Sequence, residues 1–237
     1  MMKVLLRYSD GGSMEHKPSY VTKRGLLDHF LKTFEGYEIF IVADKVSDES
    51  FKYLSSKVQD DKHIQRTSYG CCPGSFMFGL MWMIQTLKDD DKLYMTEDDY
   101  MYTPDAPKVI EEGLDLADYV SGYDHPDKYE NHSEGGPNPF VEQGGEPTRV
   151  LRGATRHWKI TNSCCMTFAA RIKTLKQDAS LMYQFNRTMR SDDFHMFLAL
   201  GKQGRRLISP LPGVSTHGER LLLSPFIDWE TLYTQRC

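Results

Sequence analysis

The first hundred residues alternate short apolar runs with amphipathic or capped stretches, and this rhythm constrains the fold more than any other feature of the 237-residue chain. Lys3-Val-Leu-Leu-Arg-Tyr8 reads as a strand. Residues 20–34 place Leu26, Leu27, Phe30, Leu31 and Phe34 at three- and four-residue spacing, the signature of an amphipathic helix that Gly36 ends. Residues 38–43, Glu-Ile-Phe-Ile-Val-Ala, form a nearly continuous apolar strand, as expected where helices cover both faces. Ser47-Asp-Glu-Ser50 then supplies a helix N-cap with acidic residues in the first turn. A weaker strand over 63–68, an apolar helix over 76–87 and a strand over 92–96 complete a β-α-β-α-β-α-β order. Such an order predicts one α/β domain with a Rossmann-like, mainly parallel sheet, right-handed crossovers and helices on both faces.

In a sheet of this kind ligands bind beyond the carboxyl ends of the strands. Ser9-Asp10, Asp44, residues 69–75 and the triple Glu97-Asp98-Asp99 all follow strands and are therefore expected along one edge. The equally acidic Asp89, Asp90 and Asp91 follow a helix and precede a strand, which puts them at the opposite end as a solvated turn. No GxGxxG fingerprint follows the first strand and no GxxxxGK[ST] loop occurs, so the common dinucleotide and ATP readings lack support. A net charge of -4 supplies no basic field for nucleic acid. A phosphate-bearing ligand must then be neutralised locally, by a few cations or a divalent ion. Mg²⁺ or Mn²⁺ prefers carboxylate, water and phosphate oxygens and needs only one or two protein carboxylates when a diphosphate supplies the rest. Glu97, Asp98 and Asp99 are candidates, and His217, in a Gly-flanked loop, is a candidate nitrogen ligand that suits Mn²⁺.

Beyond residue 102 the pattern changes. A helix over 104–116 and a short strand over 119–123 precede residues 124–148, rich in Gly, Pro, Asn, Asp and Glu, which read as a binding lid or a locally disordered loop. Strand patterns over 150–157 and 158–170 predict antiparallel additions to the sheet, followed by a helix over 175–189, a helix over 194–200 capped by Ser191-Asp-Asp193, and a strand over 206–210. In Ser191-Asp-Asp193 one aspartate suffices as cap, leaving the other for chemistry. Asp124, His125 and Trp158 are candidates for an acceptor surface, since aromatic faces stack on sugars and polar side chains satisfy hydroxyls, with a solvated loop and a buried Trp158 as the equal alternative; Lys128, Arg149, Arg152 and Arg156 are candidate phosphate contacts. The cysteines, Cys71-Cys72, Cys164-Cys165 and Cys237, lack CxxC spacing and read as small buried thiols rather than a zinc or disulfide framework. No apolar run is long enough to span a bilayer or to serve as a signal peptide, so the protein is expected in the cytosol. Nothing in the sequence speaks to oligomeric state.

Taken together, Val4-Leu-Leu-Arg-Tyr-Ser-Asp10, Ile41-Val-Ala-Asp44, Thr96-Glu-Asp-Asp-Tyr100, Ser191-Asp-Asp193 and Ser215-Thr-His-Gly218 resemble, in this order, GT-A-fold glycosyltransferases, especially the small inverting enzymes of the family-two type found in bacteria and large viruses. The resemblance covers nearly the whole chain. It implies a donor half over 1–102 and an acceptor and catalytic-base half over 103–237 of a single domain. It further implies a metal-dependent transfer of sugar from a UDP- or GDP-sugar to a carbohydrate or glycoconjugate acceptor. By position, Ser9 and Asp10 would touch the nucleoside, Asp44 the nucleobase, and Glu97, Asp98 and Asp99 the metal and ribose in the place of the DxD motif. His217 would complete the metal ligands, and Asp192 or Asp193 would deprotonate the acceptor. Glu97 departs from the family's first Asp, which leaves Glu97 and Asp99 as rival direct ligands. Two other functions stay open: a sugar nucleotidyltransferase, against which the Ser9-Asp-Gly-Gly12 turn argues because it lacks the basic character of such loops, and a non-catalytic nucleotide- or carbohydrate-binding module.

Overall fold

The structure is a computed structural model and describes residues 1–12 and 14–235; Cys237 lies outside the described residues. The first hundred residues fold in the expected alternation: β1 (Lys3–Ser9), α1 (Lys23–Thr33), β2 (Glu38–Asp44), α2 (Asp48–Ser55), β3 (Ile64–Thr67), α3 (Cys72–Thr86) and β4 (Lys92–Glu97). Side-chain oxygens of Thr22 and Ser47 accept from the N–H groups of Gly25 and Ser50 and so start α1 and α2. The remainder is β5 (Tyr100–Tyr102), α4 (Ala106–Gly113), β6 (Tyr119–Val120), β7 (Val150–Arg152), β8 (His157–Ile160), β9 (Phe168–Arg171), α5 (Ile172–Phe185), α6 (Asp193–Lys202), β10 (Leu207–Leu211), β11 (Ser215–His217) and α7 (Trp229–Thr234).

Nine strands form one sheet in the order β3-β2-β1-β4-β9-β6-β10-β8-β7. Strands β1 to β4 are parallel to one another, and β6 pairs in parallel with β10; β9 and β8 run antiparallel to their neighbours. The result is a single α/β domain whose sheet is mixed but mainly parallel. The antiparallel strands fall in the C-terminal half, as expected, but β9 is inserted at the centre, between β4 and β6. There Ala169 and Ala170, both fully buried, supply the small side chains of a central strand.

Alternation along each strand divides the core between the two faces. Val4 and Leu6, Ile39 and Ile41, and Tyr94 pack with α1 and α4 around Phe30, Phe34, Val109 and Trp158. Leu5, Phe40, Val42, Leu93 and Met95 pack on the other face with Phe76, Leu80 and Met83 of α3, Leu175 of α5 and Met196 of α6. A small third cluster of Val21, Leu26, Met101, Trp229 and Tyr233 fastens α7 to the N-terminal side. Helix α3, apolar through most of its length, buries one face only; Met81 on its other face is 41% exposed.

The polar stretch over 124–148 is not a loose loop. Asp124, Lys128, Asn138, Val141 and Glu146 within it are buried. Lys159 Nζ on β8 lies 2.8 Å from Asp124 Oδ1 and 3.3 Å from Glu146 Oε1, and Lys128 Nζ donates to Asn162 Oδ1 at 2.8 Å and to Ser163 Oγ. Buried charge does here what apolar side chains do elsewhere, which a composition-based reading of the segment misses.

Candidate functional site

Strands β1, β2 and β4 stop together. Ser9 stands opposite Asp44 and Arg7 opposite Glu97. Beyond their ends opens a cleft of about 490 Å³ lined by Ser9, Asp44, Cys72, Glu97, Asp98 and Asp99. Asp89, Asp90 and Asp91 lie at the other end of β4, exposed, with Asp89 paired to Lys176 and Asp90 to Lys173.

Every carboxylate of the acidic triple meets a cation, and each meets a different one. Glu97 Oε1 accepts from Arg7 Nη2 at 2.9 Å and from Cys72 Sγ at 3.4 Å. Asp98 Oδ2 accepts from the backbone N–H of Ser9 at 2.7 Å and pairs with Lys23 Nζ at 2.6 Å. Asp99 Oδ2 lies 3.0 Å from His217 Nε2 and 3.2 Å from Lys17 Nζ. Burial pushes the Asp98 carboxyl up to about 6 against the opposing pull of Lys23, with neighbouring Asp99 adding to the rise. Burial also works against ionised Asp99, but His217 and Lys17 outweigh it and hold that carboxyl below the usual range. The same pair operates in reverse on His217: desolvation disfavours the imidazolium, and Asp99, helped by Glu97 and Glu219, overcomes it and raises the pKa.

His217 reaches Asp99 through a second, two-stranded sheet. Strand β11 pairs antiparallel with β5 so that His217 faces Tyr100, and Gly218 N donates to Asp99 O at 2.7 Å. A Cβ at position 218 would meet that carbonyl oxygen at 2.8 Å, so glycine permits the close approach. Neither strand was anticipated, because three-residue strands carry almost no periodic signal.

Asp99, His217 and Glu219 each offer one ligand atom, and these atoms lie within 4.8 Å of one another. Asp99 Oδ1 and His217 Nδ1 are buried without a hydrogen-bond partner. A mixed oxygen and nitrogen set of this kind fits a hard divalent ion such as Mn²⁺. Glu219 was missed in the sequence; it lies in the bend just after β11, where its Oε1 comes 3.7 Å from His217 Nδ1, and only its closeness to His217 in sequence could have drawn attention to it. Glu97, held by Arg7, stands outside the set.

The other nucleotide-side candidates divide. Asp10 Oδ2 accepts from Ser47 N at 2.7 Å, acting as a second cap on α2; burial works to raise its pKa, but the bonds from Ser47 and Ser50 together prevail and lower it. Asp44 lines the cleft, yet Oδ1 accepts from Thr67 Oγ1 at 2.9 Å and Tyr69 N at 2.7 Å, and Oδ2 from Gly70 N at 2.8 Å. It therefore fixes the loop that leads into α3.

Asp192 is the N-cap of α6, accepting from His195 N at 3.2 Å and lying 2.9 Å from His195 Nδ1, with its side chain 49% exposed. Asp193, the first residue of α6, turns inward: its Oδ2 accepts from Cys164 N at 2.9 Å and Cys165 N at 2.7 Å. Cys165 and Met166 both have positive φ, 49° and 55°, a strained pair of the sort found where function fixes the backbone. From this turn Met166 O faces Arg7 Nη2 at 3.4 Å, and Cys72 Sγ lies 3.4 Å from both Glu97 Oε1 and Ser191 Oγ. Ser191 and Asp193 are thereby joined to the acidic triple through Cys72, Arg7 and the turn.

Two of the acceptor candidates, Trp158 and Asp124, are corrected. Trp158 is fully buried, its ring pressed against Gly113, because β8 lies inside the sheet, so it presents no face to a sugar. Asp124 is spent on Lys159 and on Tyr129 Oη at 2.7 Å. His125 is half-buried, with Nδ1 2.9 Å from Asp127 Oδ1. Lys128, Arg149, Arg152 and Arg156 do not line the cleft. Cys71, Cys72, Cys164 and Cys165 are free, and of these only Cys164 is buried.

No family model and no curated protein sequence matches the chain. Solved structures do. The inositol-1-phosphate CTP transferase from T. maritima aligns with 99% of this chain and 96% of its own, at 11% identity and a TM-score of 0.54. A protein from Desulfovibrio desulfuricans G20 described as a nucleotide-diphospho-sugar transferase aligns over 88% of this chain and 78% of its own, at 8% identity and 0.51. S. aureus TarS aligns over 88% of this chain and 34% of its own, at 13% identity and 0.50. At such identities the likeness is one of fold: the α/β domain seen in nucleotide-sugar transferases and in a CTP transferase. Among the described residues no helix is long and apolar enough to cross a membrane.

Proposed function

We propose that the chain is a metal-dependent glycosyltransferase that moves a sugar from a UDP- or GDP-sugar to a carbohydrate or glycoconjugate acceptor with inversion. The observation that carries this reading is the meeting, at the carboxyl ends of β1, β2 and β4, of Asp99 with His217 and Glu219, with Asp193 tied to the turn at Cys165 and Met166 that also meets Arg7. Residues 1–102 supply most of the donor cleft; residues 103–237 supply the base, His217 and the acceptor side. Ser9 and the loop held by Asp44 border the nucleoside, and Asp98, tied to Ser9, keeps that border in place. Asp99, His217 and Glu219 would hold Mn²⁺ or Mg²⁺. Bound there, the ion supplies Lewis-acid stabilisation of charge on the departing diphosphate, worth several kcal/mol.

Asp193 is the base. Two backbone N–H groups fix its Oδ2, leaving Oδ1 to take the proton of the attacking hydroxyl, a role that contributes typically ~10²–10⁴-fold in rate. Asp192, exposed and committed to His195, serves α6 as cap. One observation favours a second reading: similarity to a CTP transferase over nearly the full length of both chains supports a sugar nucleotidyltransferase.

Products decide between the readings. Incubation with a panel of nucleotide sugars, acceptors and Mn²⁺ is expected to release nucleoside diphosphate, whereas release of pyrophosphate from a nucleoside triphosphate and sugar phosphate would establish the second reading. Asp193→Ala is expected to abolish transfer while retaining donor binding, and Asp192→Ala to retain transfer. Donor binding by the native chain with no turnover of any donor and acceptor would reduce the protein to a binding module. Calorimetry of UDP or GDP that gave identical affinities with Mn²⁺ and with EDTA would remove the metal from the site.

A further inference from the structure

Two lysines, one from the segment between β1 and α1 and one from the first turn of α1, reach carboxylates that line the cleft, although neither stood out in the sequence. Lys17 is 7% exposed, and its Nζ lies 3.2 Å from Asp99 Oδ2. Its loop is fixed by bonds from Lys17 N to Met14 O at 3.2 Å and from Val21 N to Pro18 O at 3.0 Å. A further bond, from Arg220 N to His16 O at 2.9 Å, ties it to the segment that bears His217 and Glu219. Lys23, the first residue of α1, places Nζ 2.6 Å from Asp98 Oδ2 and 3.4 Å from Gly11 O.

A buried ammonium is costly unless paired, and Lys17 is paired with the oxygen that also faces His217 Nε2. A divalent ion ligated through Asp99 Oδ2 meets like charge at Lys17, so ion and ammonium compete for that oxygen. The anion that arrives with the ion is the donor's diphosphate. It gives the displaced ammonium a new partner, within the same cleft that Lys23 already borders through Asp98. We propose that Lys17, supported by Lys23, is a resident counter-cation of this site that yields Asp99 to the divalent ion and then contacts the donor's diphosphate. The proposal rests on the donor-site reading above, and it makes the ion and the diphosphate bind together through a residue of the chain itself.

The opposite signs of these two roles give the test. For Lys17→Met, Mn²⁺ alone, followed by the electron paramagnetic resonance of free ion, is expected to bind at least about fivefold more tightly than to the native chain. UDP at saturating Mn²⁺, measured by calorimetry, is expected to bind at least about fivefold more weakly. A residue that merely supports the loop would weaken both, and equal or weaker Mn²⁺ binding by the variant overturns the proposal. If the variant does not fold, the native chain answers. Acetylation of Lys17, followed by mass spectrometry, is expected to accelerate with Mn²⁺ alone and to slow when UDP is added with it. Acetylation that Mn²⁺ leaves unchanged, or a native chain that takes up no Mn²⁺, overturns it. Native chain that shows the exchange but transfers no sugar would refute the glycosyltransferase reading and leave the lysine exchange standing.

Discussion

Replacing Lys159 by methionine removes one ammonium from between two buried carboxylates. Asp124 and Glu146 have side-chain exposures of 0% and 4%, and they lie 2.8 and 3.3 Å from Lys159 Nζ. Methionine matches the stem in length and apolar contact, so the change isolates the charge. Breaking a buried pair from one side costs about 3–5 kcal/mol. For a domain of this length each kcal/mol lowers Tm by about 2–4 °C, so Lys159→Met is expected to lose roughly 6–20 °C. Burial already raises the pKa of Glu146, with Lys159 opposing, so the folded state disfavours its ionised form. Without Lys159 that pKa rises further, and stability lost at neutral pH should return as pH falls through the new value. In the native chain burial opposes charged Lys159, but Asp124 and Glu146 prevail and raise its pKa. Its contribution is therefore complete below the unfolded lysine range and lost only as pH rises through the folded value. Thermal unfolding by circular dichroism at pH 5 and pH 8, with limited proteolysis across residues 124–148, measures the effect. A Tm within about 2 °C of native at pH 8, or a deficit larger at pH 5 than at pH 8, would refute the claim that this charge cluster anchors the segment.

Two further substitutions probe the scaffold and the cleft wall. Gly113→Ala places a methyl 2.7 Å from both Trp158 Cη2 and Val120 Cγ1, and overpacking of this kind should cost about 1–3 kcal/mol in chemical denaturation; an unchanged midpoint would mean that the Trp158 pocket has slack. Asp44→Ala leaves the N–H groups of Tyr69 and Gly70 without their acceptor, about 1–3 kcal/mol for each that stays buried, and should lower both Tm and nucleotide affinity; full affinity at reduced Tm would remove the 67–70 loop from the donor site.

What the sequence reveals about this fold follows the range of the interactions involved. Strands β1, β2 and β4 were legible because period and burial are local properties, and the cleft followed because the strand ends are legible too. The acidic triple could be separated from Asp89, Asp90 and Asp91 on connectivity alone. What escaped was non-local. The pairing of Lys159 with Asp124 and Glu146, and of Lys17 with Asp99, joins residues whose spacing carries no pattern, so buried ions were read as solvated loop or left unnoticed. Strands β5 and β11 escaped through brevity, yet their pairing is what carries His217 to Asp99. Trp158 stood open between an acceptor face and a buried position because an aromatic residue in a polar neighbourhood of the sequence need not lie near it in space; β8 takes it inside the sheet.

The same distinction resolves why three adjacent carboxylates are not interchangeable. Glu97 ends β4 opposite Arg7 of β1, and its longer side chain reaches both the guanidinium and Cys72, so a glutamate at this position is suited to bracing strands against α3. Asp98 binds the backbone of Ser9 and the first residue of α1, which ties the end of β1 to the cleft. Asp99 alone meets an imidazole, a lysine and a strand from the far end of the chain, and it alone has a buried oxygen without a hydrogen-bond partner. Asp99 is held in its charged form, so it can exchange Lys17 for an ion without itself losing a proton, whereas His217 must shed its proton to become a ligand. By that argument Asp99, rather than Glu97, is the carboxylate from which a divalent ion would be held, and the lysine beside it is the group that must give way.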